Sequence, residues 1–399
     1  MTRTITIKKM TTDSSQYFCS QKFTWLSVDL EKLETLSCCD AAPVKINFDH
    51  IQHRPGDIFN SPALLKERQD MLNNIPVPSC DITCWQPESK SMPSRRLLMN
   101  SNIRTHNLAE SSVETLNIIM GSDCNMSCLY CCKTYSSAWA RDLDINGPYI
   151  VETTDDRYTL STRDKVIMNL SQKQINKGQL NQQLIDEIAA ICDQSGITEI
   201  VITGGEPFLY LGLEDLVSKI SKKINTVKIW SGLGVNPVRL EKELKKLSKL
   251  INIEVVISAE STGPLYELLR HGNTWDRLQQ NIKILEQQSI KHSFYATVTN
   301  LSLFGIRDFL SYVGSKEIVY SLCTQPEFLS VNVLDPVSKQ KIANHLEEYP
   351  EQLKSLLAKK LFEDPEHNHQ KLKIYLEEFV NRRKVHFDFL PNEFKKWLT

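Results

Sequence analysis

From Val113 onward, short apolar runs alternate with longer stretches in which apolar residues recur every three or four positions. The apolar runs are TLNIIM (115–120), EIVITG (199–204), VKIWSG (227–232), IEVVISA (253–259), FYATVTN (294–300) and a last one at FLSVNVL (328–334). The amphipathic stretches between them include 181–196, 213–224, 238–250 and 274–288. Strand, helix, strand in succession predicts a parallel sheet with right-handed crossovers. Six such strands predict an α/β fold, a partial (β/α)6 TIM-like barrel over residues 113–337, with its chemistry at the C-terminal strand ends.

Residues 1–90 follow a different rule. A strand-like FTWLSVDL is followed by CCDAAP and a Pro/Asn-rich connection, then by SPALLKERQDMLNN. That last segment reads as a helix with Ser61 at the N-cap and Pro62 in the first helical position. A small cysteine-rich α+β domain over 1–90 is the expectation. The polar stretch 86–107 carries two prolines and little periodicity, which predicts a linker over 91–112. The tail, 338–399, is rich in Lys and Glu and reads as a helical extension.

Composition narrows the function. Of 399 residues, 41% are hydrophobic and 24% charged, which is globular composition and excludes wholesale disorder. A formal net charge of −1 supplies no global positive field, which speaks against nucleic acid as a partner. The first residues lack a signal-peptide apolar core, and no run reaches the roughly 18 apolar residues of a membrane span. A cytoplasmic protein without a membrane partner is the expectation.

The 11 cysteines stand out against that background. In reducing cytosol, clustered thiols ligate metal or react rather than form disulfides. Cys192 and Cys323 stand alone and read as buried hydrophobes. Cys124, Cys128 and Cys131 have the spacing C-x3-C-x2-C on the loop leaving the first barrel strand. Three thiolates on one short loop suit a four-iron cluster with one iron left open to a ligand. Zinc is the alternative, although structural zinc prefers C-x2-C pairs and four closed ligands. One strand later, Gly204, Gly205, Glu206 and Pro207 follow EIVIT. Glycines there let a ligand approach the backbone, and a carboxylate can accept from an ammonium group. Taken alone, GGEP reads as a mere turn; its position after the second strand of the barrel changes that reading.

In order, spacing and strand context, CNMSCLYC followed by TGGEP resembles the radical S-adenosylmethionine (SAM) superfamily over roughly Val113 to Pro336. The resemblance implies a [4Fe-4S] cluster on Cys124, Cys128 and Cys131, with SAM completing the fourth iron. One electron, delivered by a reductase such as flavodoxin or ferredoxin, would cleave SAM to methionine and a 5′-deoxyadenosyl radical that abstracts hydrogen. It further implies Tyr130 near the adenine, Ser258 and Glu260 on the ribose side, and Arg270 clamping the SAM carboxylate by a bidentate pair. Asn300 is a weaker match to the same pocket. Its other reading, shared with Ser258, is strand-end capping.

Cys19, Cys38, Cys39, Cys80 and Cys84 precede the barrel, in a layout that resembles a twitch or SPASM auxiliary-cluster domain. Such a domain usually follows the barrel. The resemblance implies a second [4Fe-4S] cluster on four of the five, with Cys38 and Cys39 competing for one place; a zinc-stapled module remains the alternative. For the reaction, it implies modification of a peptide or protein side chain. Small-molecule oxidation or rearrangement is the second reading, and a non-catalytic metal-binding module the third. The long connection 133–164 could line a substrate channel, with Cys132, Tyr135, Ser137 and Trp139 as candidates. Gln325 and Asp335 fall near the last strand end without an evident role.

Overall fold

A computed structural model describes residues 16–39, 41–89, 94–100, 111–151, 182–193, 196–222, 224–365 and 368–398. Among the described residues, nine strands form one sheet: β1 (Trp25–Asp29), β2 (Glu34–Leu36), β3 (Val44–Lys45), β4 (Thr115–Ile119), β5 (Glu199–Thr203), β6 (Thr226–Ser231), β7 (Asn252–Ser258), β8 (Lys291–Val298) and β9 (Ile318–Leu322). Their order is β3-β2-β1-β4-β5-β6-β7-β8-β9. β4 through β9 are six parallel strands, as the alternating pattern predicts.

Burial alternates along these strands. Leu116, Ile118, Ile200, Ile202, Val227, Ile229, Val255, Ile257, Phe294 and Ala296 are buried in the main apolar core. Register puts Ser27, Asn117, Thr203, Trp230, Ser258 and Tyr295 on the opposite face. A parallel sheet covered on both faces reads as continuous apolar runs. The period-two alternation here therefore marks a face that is not packed with aliphatic side chains. Polar groups on it bond sideways: Thr203 Oγ1 donates to Asn117 Oδ1 (3.1 Å), and Asn117 Nδ2 donates to Ser27 Oγ (2.8 Å).

Three expectations need correction. First, the leading segment does not stand apart from the barrel. β1 pairs in parallel with β4, from Trp25 opposite Thr115 to Asp29 opposite Ile119. Glu187, on the helix Gln182–Asp193, accepts from Gly56 N (2.7 Å) and Ile58 N (2.9 Å). Second, the stretch read as a linker carries the helices Gln86–Ser89 and Arg95–Asn100. Arg96 is buried there, donating to Phe18 O (3.0 Å) and paired with Glu88. Polarity misled because an internal ion pair can replace an apolar stripe as the anchor. Third, the last strand is Ile318–Leu322; FLSVNVL instead forms a buried, mostly irregular segment. Two of its carbonyls are met by a side chain, since Asn300 Nδ2 donates to Phe328 O (3.0 Å) and Val333 O (2.9 Å).

The helix expected after Ser61 runs Pro62–Leu72, with Pro62 in its first turn. The described part of the tail includes the α-helices Pro336–Asn344, Glu351–Lys360, Asn368–Arg383 and Asn392–Leu398. Among the described residues, no helix is long and apolar enough to cross a membrane.

Candidate active site

The cysteine loop leaves β4 and lies against the loop leaving β5. Gly205 N donates to Gly121 O and Glu206 N to Asp123 O, both at 2.8 Å. A Cβ on Gly205 would collide with the Asp123 carbonyl, and Gly204 sits at φ +135°, so the glycine pair is required for this approach. Cys124, Met126 and Cys128 pack together with Tyr130 and Cys131 at their edge. The Met126 thioether fills the space beside Gly232, where a Cβ would strike its terminal methyl.

Glu206 is fully buried and caps the short turn that begins at Pro207. Ser231 Oγ donates to its Oε1 (2.6 Å), while its Oε2 has no hydrogen-bond partner. Burial raises its carboxyl above the ordinary range, against the donors from Ser231 and nearby backbone amides. A buried acceptor oxygen left unpaired costs free energy, so this atom calls for a donor.

On the other side, Glu260 holds two partners at the end of β7. Arg270 Nη2 donates to its Oε2 (2.7 Å), and Tyr130 OH donates to its Oε1 (3.0 Å). The Arg270 guanidinium lies 5.1 Å from the Tyr130 ring centroid. All of Tyr130, Glu260 and Arg270 were singled out from sequence, and the structure brings them together. It gives the Arg270 fork to Glu260, however, so the guanidinium here is a paired charge beside Cys128, not an open clamp. Burial raises the Cys128 thiol, and the Arg270 charge opposes that rise.

Ser258 is half-buried on the open sheet face opposite Tyr295. Asn300 does not join these residues; its amide serves the FLSVNVL segment and its Oδ1 accepts from Leu301 N (2.8 Å). Asp335 caps the helix Pro336–Asn344 by accepting from Ser338 N (2.9 Å). Cys323, near Gln325, is buried, as is Cys192.

Of the candidates in the long connection, two hold the cysteine loop. Ser137 Oγ accepts from Cys124 N (3.1 Å), and the buried Trp139 donates Nε1–H to Cys128 O (2.9 Å). Cys132 is buried and Tyr135 is exposed, with the Lys32 ammonium 5.4 Å from its ring centroid. The remainder of that connection, 152–164, lies outside the described residues.

Sequence reading missed the loop's long-range supports. Glu31 Oε2 accepts from Ser122 N (2.6 Å), and the Tyr210 hydroxyl accepts from Asp123 N (2.7 Å). From the tail, Tyr375 OH donates to Leu129 O and Arg383 Nε to Ser127 Oγ (3.2 Å). The Arg383 guanidinium stacks on Phe379 (3.9 Å) and Trp139 (4.5 Å). No local spacing signals these contacts.

A second set of thiols gathers in the leading segment. Cys19, Cys80 and Cys84 are buried in one small cluster with Met71 and Val77, with Trp85 packed on it. Cys38 is buried and lies within electrostatic reach of all three, whereas Cys39 is exposed. Burial, then Cys38, pushes the Cys19 thiol up to about 12. Burial likewise takes Cys80 to about 11, against the pull of Lys22. Among the described residues, no three His, Cys, Asp or Glu side chains converge on one point as a lone ion would require.

Residues 118–310 match the family model of the Radical SAM superfamily. The match is confined to this region, which resembles a radical SAM domain. A comparison with curated proteins found no match. Among solved structures, the chain is similar to native anSMEcpe with bound AdoMet at 15% identity and a TM-score of 0.38, covering 59% of this chain and 60% of that one. It is also similar to Streptococcus suis SuiB at 12% identity and a TM-score of 0.37, covering 80% of this chain and 67% of that one. SuiB bound to its precursor peptide SuiA is matched at 12% identity and a TM-score of 0.32, over 92% and 71% of the two chains. The chain thus spans about three fifths of anSMEcpe.

Proposed function

We propose that the protein reductively cleaves SAM at a [4Fe-4S] cluster on Cys124, Cys128 and Cys131 and acts by hydrogen abstraction on a peptide or protein side chain. When bound, the cluster and SAM supply the one-electron chemistry. The donor set fits: three thiols share one loop, and the unpartnered Glu206 Oε2 lies on the adjoining turn. That oxygen is the observation that carries the reading, because an ammonium group such as SAM presents would satisfy it.

Gly204, Gly205 and Pro207 would shape the turn that holds Glu206, with Tyr130, Ser258, Glu260 and Arg270 lining the neighbouring strand end. Arg270, held by Glu260, would keep positive charge beside Cys128 and stabilise it as a thiolate. Cys19, Cys38, Cys80 and Cys84 would hold an auxiliary [4Fe-4S] cluster that accepts the electron left after hydrogen abstraction. A flavodoxin- or ferredoxin-type reductase in the cytoplasm is the proposed electron source. The preference for a peptide rests on the resemblance of the leading cysteines to a twitch or SPASM module. Small-molecule oxidation would use the same residues. A purely structural metal module would have no use for an unpartnered carboxylate beside its thiols.

Anaerobically reconstituted protein with dithionite should convert SAM to methionine and 5′-deoxyadenosine, and Cys128→Ala should abolish the conversion. Glu206→Gln should keep its iron yet bind SAM about one to two decades more weakly, the equivalent of roughly 1.5–3 kcal/mol for a charge-assisted bond. Normal cleavage by Cys128→Ala would overturn the assignment.

A further inference from the structure

Lys22 is almost wholly buried, with a side chain 1% exposed, and its ammonium makes three hydrogen bonds. It donates to Ser37 Oγ (2.6 Å), Glu67 Oε2 (2.7 Å) and Ser79 Oγ (2.9 Å). The two hydroxyls in turn donate to Glu67, Ser37 to Oε2 (2.7 Å) and Ser79 to Oε1 (2.6 Å). The ring of bonds is closed. Ser37 directly precedes Cys38, Ser79 directly precedes Cys80, and Lys22 N bonds Cys19 O (3.2 Å). One ion pair therefore fixes the three chain segments that deliver Cys19, Cys38 and Cys80.

A buried ion pair of this kind is a weak contributor to stability, because desolvation offsets much of its attraction. Its placement matters more. Four thiolates around any metal put negative charge in a buried site, and a fixed ammonium among them lowers the cost of that charge. The same network orients Ser37 so that Cys38 turns inward while its neighbour Cys39 remains exposed.

We propose that Lys22 is the positioning and charge-compensating residue of a four-thiolate site made by Cys19, Cys38, Cys80 and Cys84, with Cys39 outside the donor set. This rests on the auxiliary-cluster reading above. A positive charge nearby favours the more negative, reduced form of such a centre, and the Glu67 carboxylate opposes it. Removing either partner should shift the reduction potential, in opposite directions.

The test uses the full chain carrying Cys124→Ala, Cys128→Ala and Cys131→Ala, reconstituted anaerobically with iron and sulfide. Iron and sulfide per chain, visible and paramagnetic-resonance spectra, and the midpoint potential are the readouts. Cys39→Ser should keep the full iron content and spectrum, whereas Cys38→Ser should lose most of both. Lys22→Met should lower the midpoint potential and iron retention, with Lys22→Arg restoring the potential. Glu67→Gln should raise it, and Lys22→Met/Glu67→Gln should return it toward the starting value. A merely structural ion pair would give no such opposed shifts. Unchanged potentials, or shifts of one sign, would overturn the role of Lys22, and iron loss in Cys39→Ser would overturn the donor set. Should Lys22→Met fail to fold, Glu67→Gln and the two cysteine variants still decide. Absence of iron, or zinc alone, in the protein with Lys22 intact would instead overturn the auxiliary-cluster reading.

Discussion

Cys124, Cys128 and Cys131 come from one short loop, whereas Cys19, Cys38, Cys80 and Cys84 come from three separate segments. The loop is held chiefly by uncharged groups, namely backbone amides of Gly205 and Glu206, the hydroxyls of Ser137 and Tyr375, the Trp139 indole, and Met126 seated beside Gly232, with Glu31 and Arg383 added at Ser122 and Ser127. The leading set is held by a closed ring around one buried ammonium. A loop that carries its own ligand spacing needs only a rigid bed, and shape provides it. Thiols brought from distant segments need a directional anchor, and a hydrogen-bonded ion pair provides that at the cost of burying charge. The loop should be intolerant of added volume, and the leading set intolerant of altered charge.

The largest expected effect that separates them is Gly205→Ala. Its methyl would drive the cysteine loop off the β5 turn, costing about 1–3 kcal/mol as overpacking does. Iron at Cys124, Cys128 and Cys131 should be lost while the leading set keeps its own. Denaturant unfolding with iron counts measures both, and equal loss at the two sites would break the distinction. Tyr375→Phe should act in the same direction but less strongly, removing one hydrogen bond to Leu129 O worth about 1 kcal/mol. SAM cleavage should slow, with iron at the leading set unchanged.

The smallest effect is a pH dependence confined to the loop's outer support. Ser127 Oγ and His271 Nδ1 share a 3.0 Å hydrogen bond, and His271 is pushed down to about 4 by burial and then by Arg383. The unfolded chain takes a proton on this group near its ordinary value of 6.5, and the folded chain does so only near 4. The unfolded state therefore binds more protons between those values, and stability falls as pH drops from 6.5 toward 4. His271→Asn should flatten the profile in that window. A profile unchanged by the substitution would remove His271 as its source.

Much of the parallel sheet is legible in the order of residues alone. Alternating apolar positions located five of the six parallel strands, because period two survives wherever one sheet face is packed and the other is not. The C-x3-C-x2-C and GGEP segments could be picked out because each is written in consecutive residues, and the structure sets the two loops against each other. FLSVNVL was misread because a fully buried irregular run and a buried strand have the same composition. What pairs a polar group lies far away in the chain, here Asn300. For the same reason no local pattern shows that β1 joins the parallel sheet, that Arg270 faces Glu260, or that Tyr375 and Arg383 reach the cysteine loop. It also separated Cys38 from Cys39, adjacent in sequence and chemically identical. The packing of Lys22, Ser37 and Glu67, with Gln21 Oε1 accepting from the Cys38 thiol, distinguishes an inward thiol from an exposed one, and long-range contacts of that kind leave no periodic or local trace in a single sequence.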